Sequence, residues 1–122
     1  MKREVKIGIF GVAMILLAWG GVRFLSGLDV FARNVDYVAD FCAAHLNGIK
    51  ALRPQASFLV WLDCRGLKLS HDELVDLFVN KARLALNDGE MFGPGGQGFM
   101  RLNVALPRQV LAEALERLKA VL

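Results

Sequence analysis

The sequence is poor in the residues that build metal sites and disulfides. It holds two cysteines and two histidines in 122 residues. Cys42 and Cys64 form no CxxC, and neither His45 nor His71 has a partner at the close spacing of a zinc-ligand pair. No metal site is therefore expected. Cys42 falls in an apolar helical pattern and Cys64 ends a strand-like run, so both are expected as buried thiols rather than nucleophiles or a disulfide. An excess of charge is also missing where it would matter. The formal net charge is +3, but residues 32–122 carry 11 basic against 10 acidic side chains. A near-neutral, scattered pattern of this kind excludes a nucleic-acid binder. Finally, no Gly/Ser/Pro linker marks the change of character near residues 32–35.

That change is pronounced. Lys2, Arg3 and Lys6 precede IGIFGVAMILLAWGGV (7–22), 16 residues without a charge, and counting on to Leu25 gives 19. This is long enough to span a bilayer if Arg23 snorkels to the headgroups, with Trp19 near the interface. The basic cluster before the run predicts a single-pass anchor with the N-terminus inside. No small-x-small site follows, which argues against a cleaved signal peptide. Gly8, Gly11, Gly20 and Gly21 argue against a buried soluble helix. The expected division is 1–31 as an anchor-like segment and 32–122 as a folded domain.

From Asn34 the pattern is that of a small α+β domain. Asn34 reads as an N-cap, and Val35, Val38, Phe41, Cys42 and Leu46 form an apolar stripe at helical spacing. Asn47-Gly48 ends the helix. Ile49–Arg53 and Ser57–Asp63 read as strands joined around Pro54-Gln55 in an antiparallel hairpin. The nearly continuous apolar run SFLVWLD predicts that the second is covered on both faces. Ser70 and Glu73 form a capping box opening a helix through Asn80, with Leu74, Leu77 and Phe78 inward and His71 exposed in the first turn. Ser70, His71 and Asp72 are not a triad, because consecutive helix residues point to different sides. Arg83–Asn87 reads as a third strand followed by an Asp88-Gly89 turn. Pro107 opens a last helix with Leu111, Ala114, Leu115, Leu118 and Leu122 inward. The order α-β-β-α-β-β-α predicts two layers, a mostly antiparallel sheet with helices on one face.

The most informative stretch is LALNDGEMFGPGGQGFMRLNVALPR (84–108). Gly93, Gly95 and Gly98 match GxGxxG literally, but a strand follows instead of a helix N-terminus, so no dinucleotide site is expected. No P-loop Gly-Lys-Ser/Thr is present either. In the strand, Phe99, Arg101 and Asn103 alternate with Met100, Leu102 and Val104. Arg101 is thus a permanently charged planar fork on a rigid element, suited to a carboxylate or phosphate held bidentately. The competing reading is an ordinary strand arginine paired with a neighbouring Asp or Glu.

Three segments, DYVADFCAAHLNGIKALRPQASFLVWLDCRGL (36–67), ELVDLFVNKARLALNDGEMFG (73–93) and GFMRLNVALPR (98–108), together resemble a known family. They are similar to the C-terminal small domain of pyridoxal-phosphate enzymes of the class I/II aminotransferase type, in the cystathionine β-lyase-like C–S lyase branch. The resemblance implies the same two-layer fold and assigns Arg101 to the α-carboxylate of an amino-acid substrate such as cystathionine. Leu106 departs from the family, where a small or thiol residue is frequent. Lys50, Lys68, Lys81 and Lys119 lie in no motif resembling the cofactor lysine, so no catalytic or cofactor-binding residue carries over. The implied role is part of a lyase or aminotransferase, inactive alone and completed by a large-domain partner or a homodimer. MKREVKIGIFGVAMILLAWGGVRFLSGLDVF resembles instead the N-terminal anchor of MCE lipid-trafficking proteins, without the β-rich domain that follows there. An inward anchor places 32–122 outside the cytoplasm, whereas the enzyme family works inside it. The alternatives are therefore a membrane-tethered non-catalytic module or a non-functional fusion, with a cytoplasmic location if the first segment is a fusion artefact.

Overall fold

The computed structural model describes residues 29–54 and 57–122. The chain divides into two units, Met1–Val30 and Phe31–Leu122, and the fold below is that of the second. The apolar run 7–25 lies outside the described residues. Among the described residues, no helix is long and apolar enough to cross a membrane.

The elements follow the expected order: a first helix α1 running to residue 45, β1 (Lys50–Leu52), β2 (Leu59–Asp63), α2 (His71–Asp76), β3 (Asn87–Asp88), β4 (Phe99–Asn103) and α3 (Arg108–Ala120). The four strands form one sheet in the order β1-β2-β4-β3, and every neighbouring pair is antiparallel. The β1–β2 hairpin sets Lys50 opposite Asp63 and Leu52 opposite Trp61. In β2–β4, Trp61 faces Arg101 and Asp63 faces Phe99.

One face of the sheet makes the core. Val60, Leu62, Met100 and Leu102 pack with Val38, Phe41, Cys42 and Leu46 of the first helix and its C-terminal end, Leu74 of α2, Phe78 just beyond it, and Leu111, Leu115 and Leu118 of α3. The α1 stripe and most of the α3 stripe are thus buried as the helical spacing requires. Leu122 stays exposed, because α3 ends at Ala120. Phe78 has no exposed surface; truncating a ring so placed costs about 3–5 kcal/mol. Gly48 ends α1's turn at φ +97, and a Cβ there would press on Leu67 and on the Gly66 backbone at 2.9–3.0 Å. Only glycine fits both conditions.

Four further expectations are corrected. Asn34 is no N-cap: the helix is already formed at residue 29, and Asn34 lies inside it, 1% exposed. Its Nδ2 donates to the carbonyls of Val104 (3.0 Å) and Leu106 (2.9 Å), and its Oδ1 accepts from Arg108 Nε at 2.9 Å. The buried carbonyls past β4 claim the amide, since leaving them unpaired is costly. The second correction is to the third strand, expected at Arg83–Asn87: only its last residue, Asn87, pairs, together with Asp88 from the expected turn. Beyond α2 the chain widens into a π turn, Leu77–Lys81, closed by Ala82 N to Leu77 O (2.8 Å) and Leu84 N to Phe78 O (2.7 Å). Arg83 takes the left-handed conformation to do so, at φ +57. Residues 82–84 are consumed in finishing the helix. Third, β2 is not covered equally on both faces: Val60 and Leu62 are buried, while Trp61 between them is half-buried on the other side. Fourth, His71 is buried, with 7% of its surface exposed.

Candidate functional site

Arg101 sits at the middle of β4, on the face away from the core. Its neighbours there follow from strand geometry. Residues two apart on a strand share a face, as do directly opposed residues on paired strands. Phe99 and Trp61 therefore stand beside Arg101. Phe92 joins them from the loop after β3, its ring centroid 4.4 Å from the Arg101 guanidinium carbon and 5.4 Å from the Trp61 ring, edge to face. Trp61 and Phe99 also meet edge to face at 6.4 Å. A cavity of about 280 Å³ opens among Trp61, Phe92, Gly95, Gly96 and Phe99.

The glycine-rich loop can reach this face because its neck is narrow. Gly89 and Gly96 touch backbone to backbone, and a Cβ on either would collide with the other's main chain. Gly89–Phe92 and Pro94–Gly96 each form a short 3-10 turn, and β4 starts at Phe99. A strand does follow the glycines. The loop therefore offers no helix N-terminus to a pyrophosphate.

Arg101 has an unusual electrostatic position. Its Nε is buried and has no hydrogen-bond partner. Among the described residues no Asp or Glu pairs with it, which counts against the ordinary ion-paired strand arginine. Other arginines are engaged. Arg65 makes a two-pronged contact with Asp63 (Nε–Oδ1 2.9 Å, Nη2–Oδ2 2.8 Å) while stacking on Phe99 at 5.0 Å, and Arg53 pairs with Asp36. The Arg65 hydrogen bond holds the Asp63 carboxyl below the usual carboxylate range.

The other singled-out residues lie elsewhere. Cys42 and Cys64 are free, buried thiols. Burial pushes them up to about 11 and about 12 from the ordinary 9.0, with the Asp63 charge a smaller contribution at Cys64. Neither is a nucleophile at neutral pH. Ser70 does close a capping box with Glu73, each accepting the other's amide at 3.2 Å. His71 turns away from it, bonding Asp88 and the Gly98 amide, so no triad forms. Trp61 and Phe92 carry no mark in the sequence, and His71 is expected there only as an exposed first-turn residue. Trp61 looked like one residue of an apolar strand, and its place opposite Arg101 depends on a register that a single chain pattern does not give.

The comparisons with known proteins agree with this fold. The family profile of class I and II aminotransferases matches residues 28–118, and that of a domain of unknown function matches residues 1–32. Cystathionine β-lyase PatB of Bacillus subtilis is 34% identical over 118 residues, covering 95% of this chain and 30% of that protein. The structure of cystalysin from Treponema denticola, which contains pyridoxal 5′-phosphate, superposes with TM-score 0.77 at 36% identity, covering 81% of this chain and 25% of the other. A pyridoxal-phosphate-bound C–S lyase from Staphylococcus hominis superposes with TM-score 0.70 at 28% identity, covering 80% and 24%. The chain thus spans about a quarter to a third of the length of these relatives. By the family match over three quarters of its residues, the chain belongs to the class I and II aminotransferases.

Proposed function

We propose that this chain is the carboxylate-binding part of a pyridoxal-phosphate-dependent C–S lyase, with Arg101 as receptor for the α-carboxylate of an amino-acid substrate. The observation that carries this is the buried, unpartnered Arg101 Nε on a face with no acidic partner among the described residues. A buried donor left unpaired costs about 1–3 kcal/mol, more on a charged group. An incoming carboxylate would remove that cost and accept two parallel N–H bonds. Phe92 stacked on the guanidinium restrains the plane of the fork, which favours one orientation of the bound carboxylate.

In enzymes of this kind the cofactor supplies an electron sink. Lys50, Lys68, Lys81 and Lys119 are all exposed, and none lines the cavity beside Arg101. The chain's own work is to bind and orient. The lysine and large domain would come from a partner chain or further sequence.

Grafting tests this. Residues 28–118 would replace the matching domain of the Bacillus subtilis cystathionine β-lyase, and cleavage of cystathionine would be followed. The graft should restore cleavage, and Arg101→Lys should raise KM about tenfold or more, because one ammonium does not reproduce the two-pronged contact. An unchanged KM in a graft that still shows the bound-cofactor absorbance would sink the assignment.

A second reading, alternative to the lyase one, takes residues 1–31 as an uncleaved anchor of MCE type with the N-terminus inside. The charge-free run supports it; the profile that matches residues 1–32 describes a domain of unknown function and assigns no role. Full chain recovered in the carbonate-soluble fraction of membranes would rule it out.

A further inference from the structure

One imidazole ties the two ends of the loop that carries Phe92. The loop leaves β3 at Asp88 and enters β4 at Phe99. His71, at the start of α2, pairs through Nε2 with Asp88 Oδ1, and its Nδ1 accepts the Gly98 N–H at 3.0 Å. Asp88 Oδ1 also accepts the Glu90 amide at 2.9 Å, while the Gly98 carbonyl accepts the Cys64 amide at 2.9 Å. Entry and exit of the loop are thus fastened to one ring, which is itself 7% exposed.

The hydrogen bonds settle the ring's tautomer. A neutral imidazole has one donor and one acceptor nitrogen. Because Gly98 donates to Nδ1, that nitrogen is bare, and the ring proton sits on Nε2, aimed at Asp88. This bears on a rival reading. His71 Nε2 and carboxylate oxygens of Asp88 and Glu90 lie within 4.8 Å of one another, a grouping that could hold a cation. A metal needs the lone pair of Nε2, and a ligating histidine commonly donates through its other nitrogen. Here that other nitrogen accepts. The arrangement suits a bridge and opposes a metal ligand.

We infer that His71 is a positioning residue for the Arg101 site, acting through the loop 89–98 to hold Phe92 against the guanidinium. The importance of that placement to ligand binding rests on the carboxylate reading above. The bridge itself does not. If the ring is lost, Asp88 and the Gly98 N–H lose the one partner that joins them, and the loop's entry and exit are held by the Gly89–Gly96 contact and by separate bonds, Asp88 to the Glu90 amide and the Gly98 carbonyl to the Cys64 amide. A glutamine has one acceptor and one donor at its tip and can replace both bonds; a phenylalanine fills the space and replaces neither.

The test uses the full chain and nuclear magnetic resonance. In the wild type, the His71 nitrogen shifts should report a protonated Nε2 and a bare Nδ1, unaltered by added Zn²⁺. His71→Phe should speed exchange of the Gly98 amide about tenfold, the effect of one lost hydrogen bond, and weaken the Trp61–Phe92 ring cross-peaks. His71→Gln should restore both. Unchanged exchange in His71→Phe, or faster exchange with intact Trp61–Phe92 cross-peaks, would overturn the inference. So would a large Nε2 shift on adding Zn²⁺, which would make the trio a cation site. Titrating the wild type with acetate and watching the Arg101 Nε signal separates the two claims: no response there sinks the carboxylate reading, while the His71 results decide the bridge.

Discussion

Trp61 and Arg101 are direct partners across the β2–β4 ladder, one aromatic and one cationic, and Phe92 closes over both. The guanidinium is therefore restrained by hydrophobic rings, while its Nε has no hydrogen-bond partner. Trp61 also becomes a reporter placed beside the fork.

Removing the stacked ring should loosen the fork with little effect on folding. Phe92 is half exposed, and a cation–π contact of this kind contributes about 0.5–1 kcal/mol. Phe92→Ala is expected to leave thermal unfolding nearly unchanged and to weaken substrate binding in the grafted lyase about 2- to 5-fold. Circular dichroism melts and KM measurements check the two halves separately.

Asn34→Ala should behave in the opposite way. The side chain satisfies two backbone carbonyls and the Arg108 Nε from inside a helix. Its loss leaves partly buried polar groups without partners and should cost roughly 2–4 kcal/mol of stability. Urea denaturation would show it as a lower midpoint with an unchanged slope.

These cases mark where the sequence was legible. The stripe of the first helix, that of α3 short of Leu122, the capping box, the hairpin and the alternation on β4 each depend on periodicity or local chemistry, and each stands in the structure. Asn34, His71 and the truncated third strand were misread for one shared reason. In each, a hydrogen-bond partner that the local pattern does not show overrides the local preference: Val104 and Leu106, distant in sequence, for Asn34, and Asp88 and Gly98 for His71. At residues 82–84 the override comes from the π turn, where the Leu84 amide returns to Phe78. The site was half legible. Arg101 could be singled out, but its aromatic surroundings arise from cross-strand register and from a loop that folds back, and neither has a local signature.

Alkali should destabilise the domain through its two thiols. Their folded values are raised, so the folded state keeps protons that the unfolded chain loses above 9.0. The associated stability is fully present below 9.0, declines as pH rises towards 11–12, and is gone above that. Melting temperature measured from pH 8 to 11 should fall, and Cys64→Ala should flatten the slope while lowering the value at pH 8.

Acid acts through the capping box with the reverse sign. Hydrogen bonds from Ser70 hold the Glu73 carboxyl below its ordinary value. That contribution is present above the unfolded value and is lost as pH falls through the lowered folded one. Ser70→Ala is expected to reduce the melting temperature at neutral pH by roughly 4–8 °C. It should also remove part of the decline between pH 5 and 3.

On β4 the parity of the residue number decides what a substitution touches. Met100 and Leu102 are buried in the core, whereas Phe99 and Arg101 belong to the opposite surface. A library varied only at Trp61, Phe92 and Phe99 would thus explore new specificities while the hydrophobic layer underneath stays constant. The strand works as a two-sided ruler: one edge is read by folding, the other by whatever the protein recognises, and selection can revise one side without erasing the other.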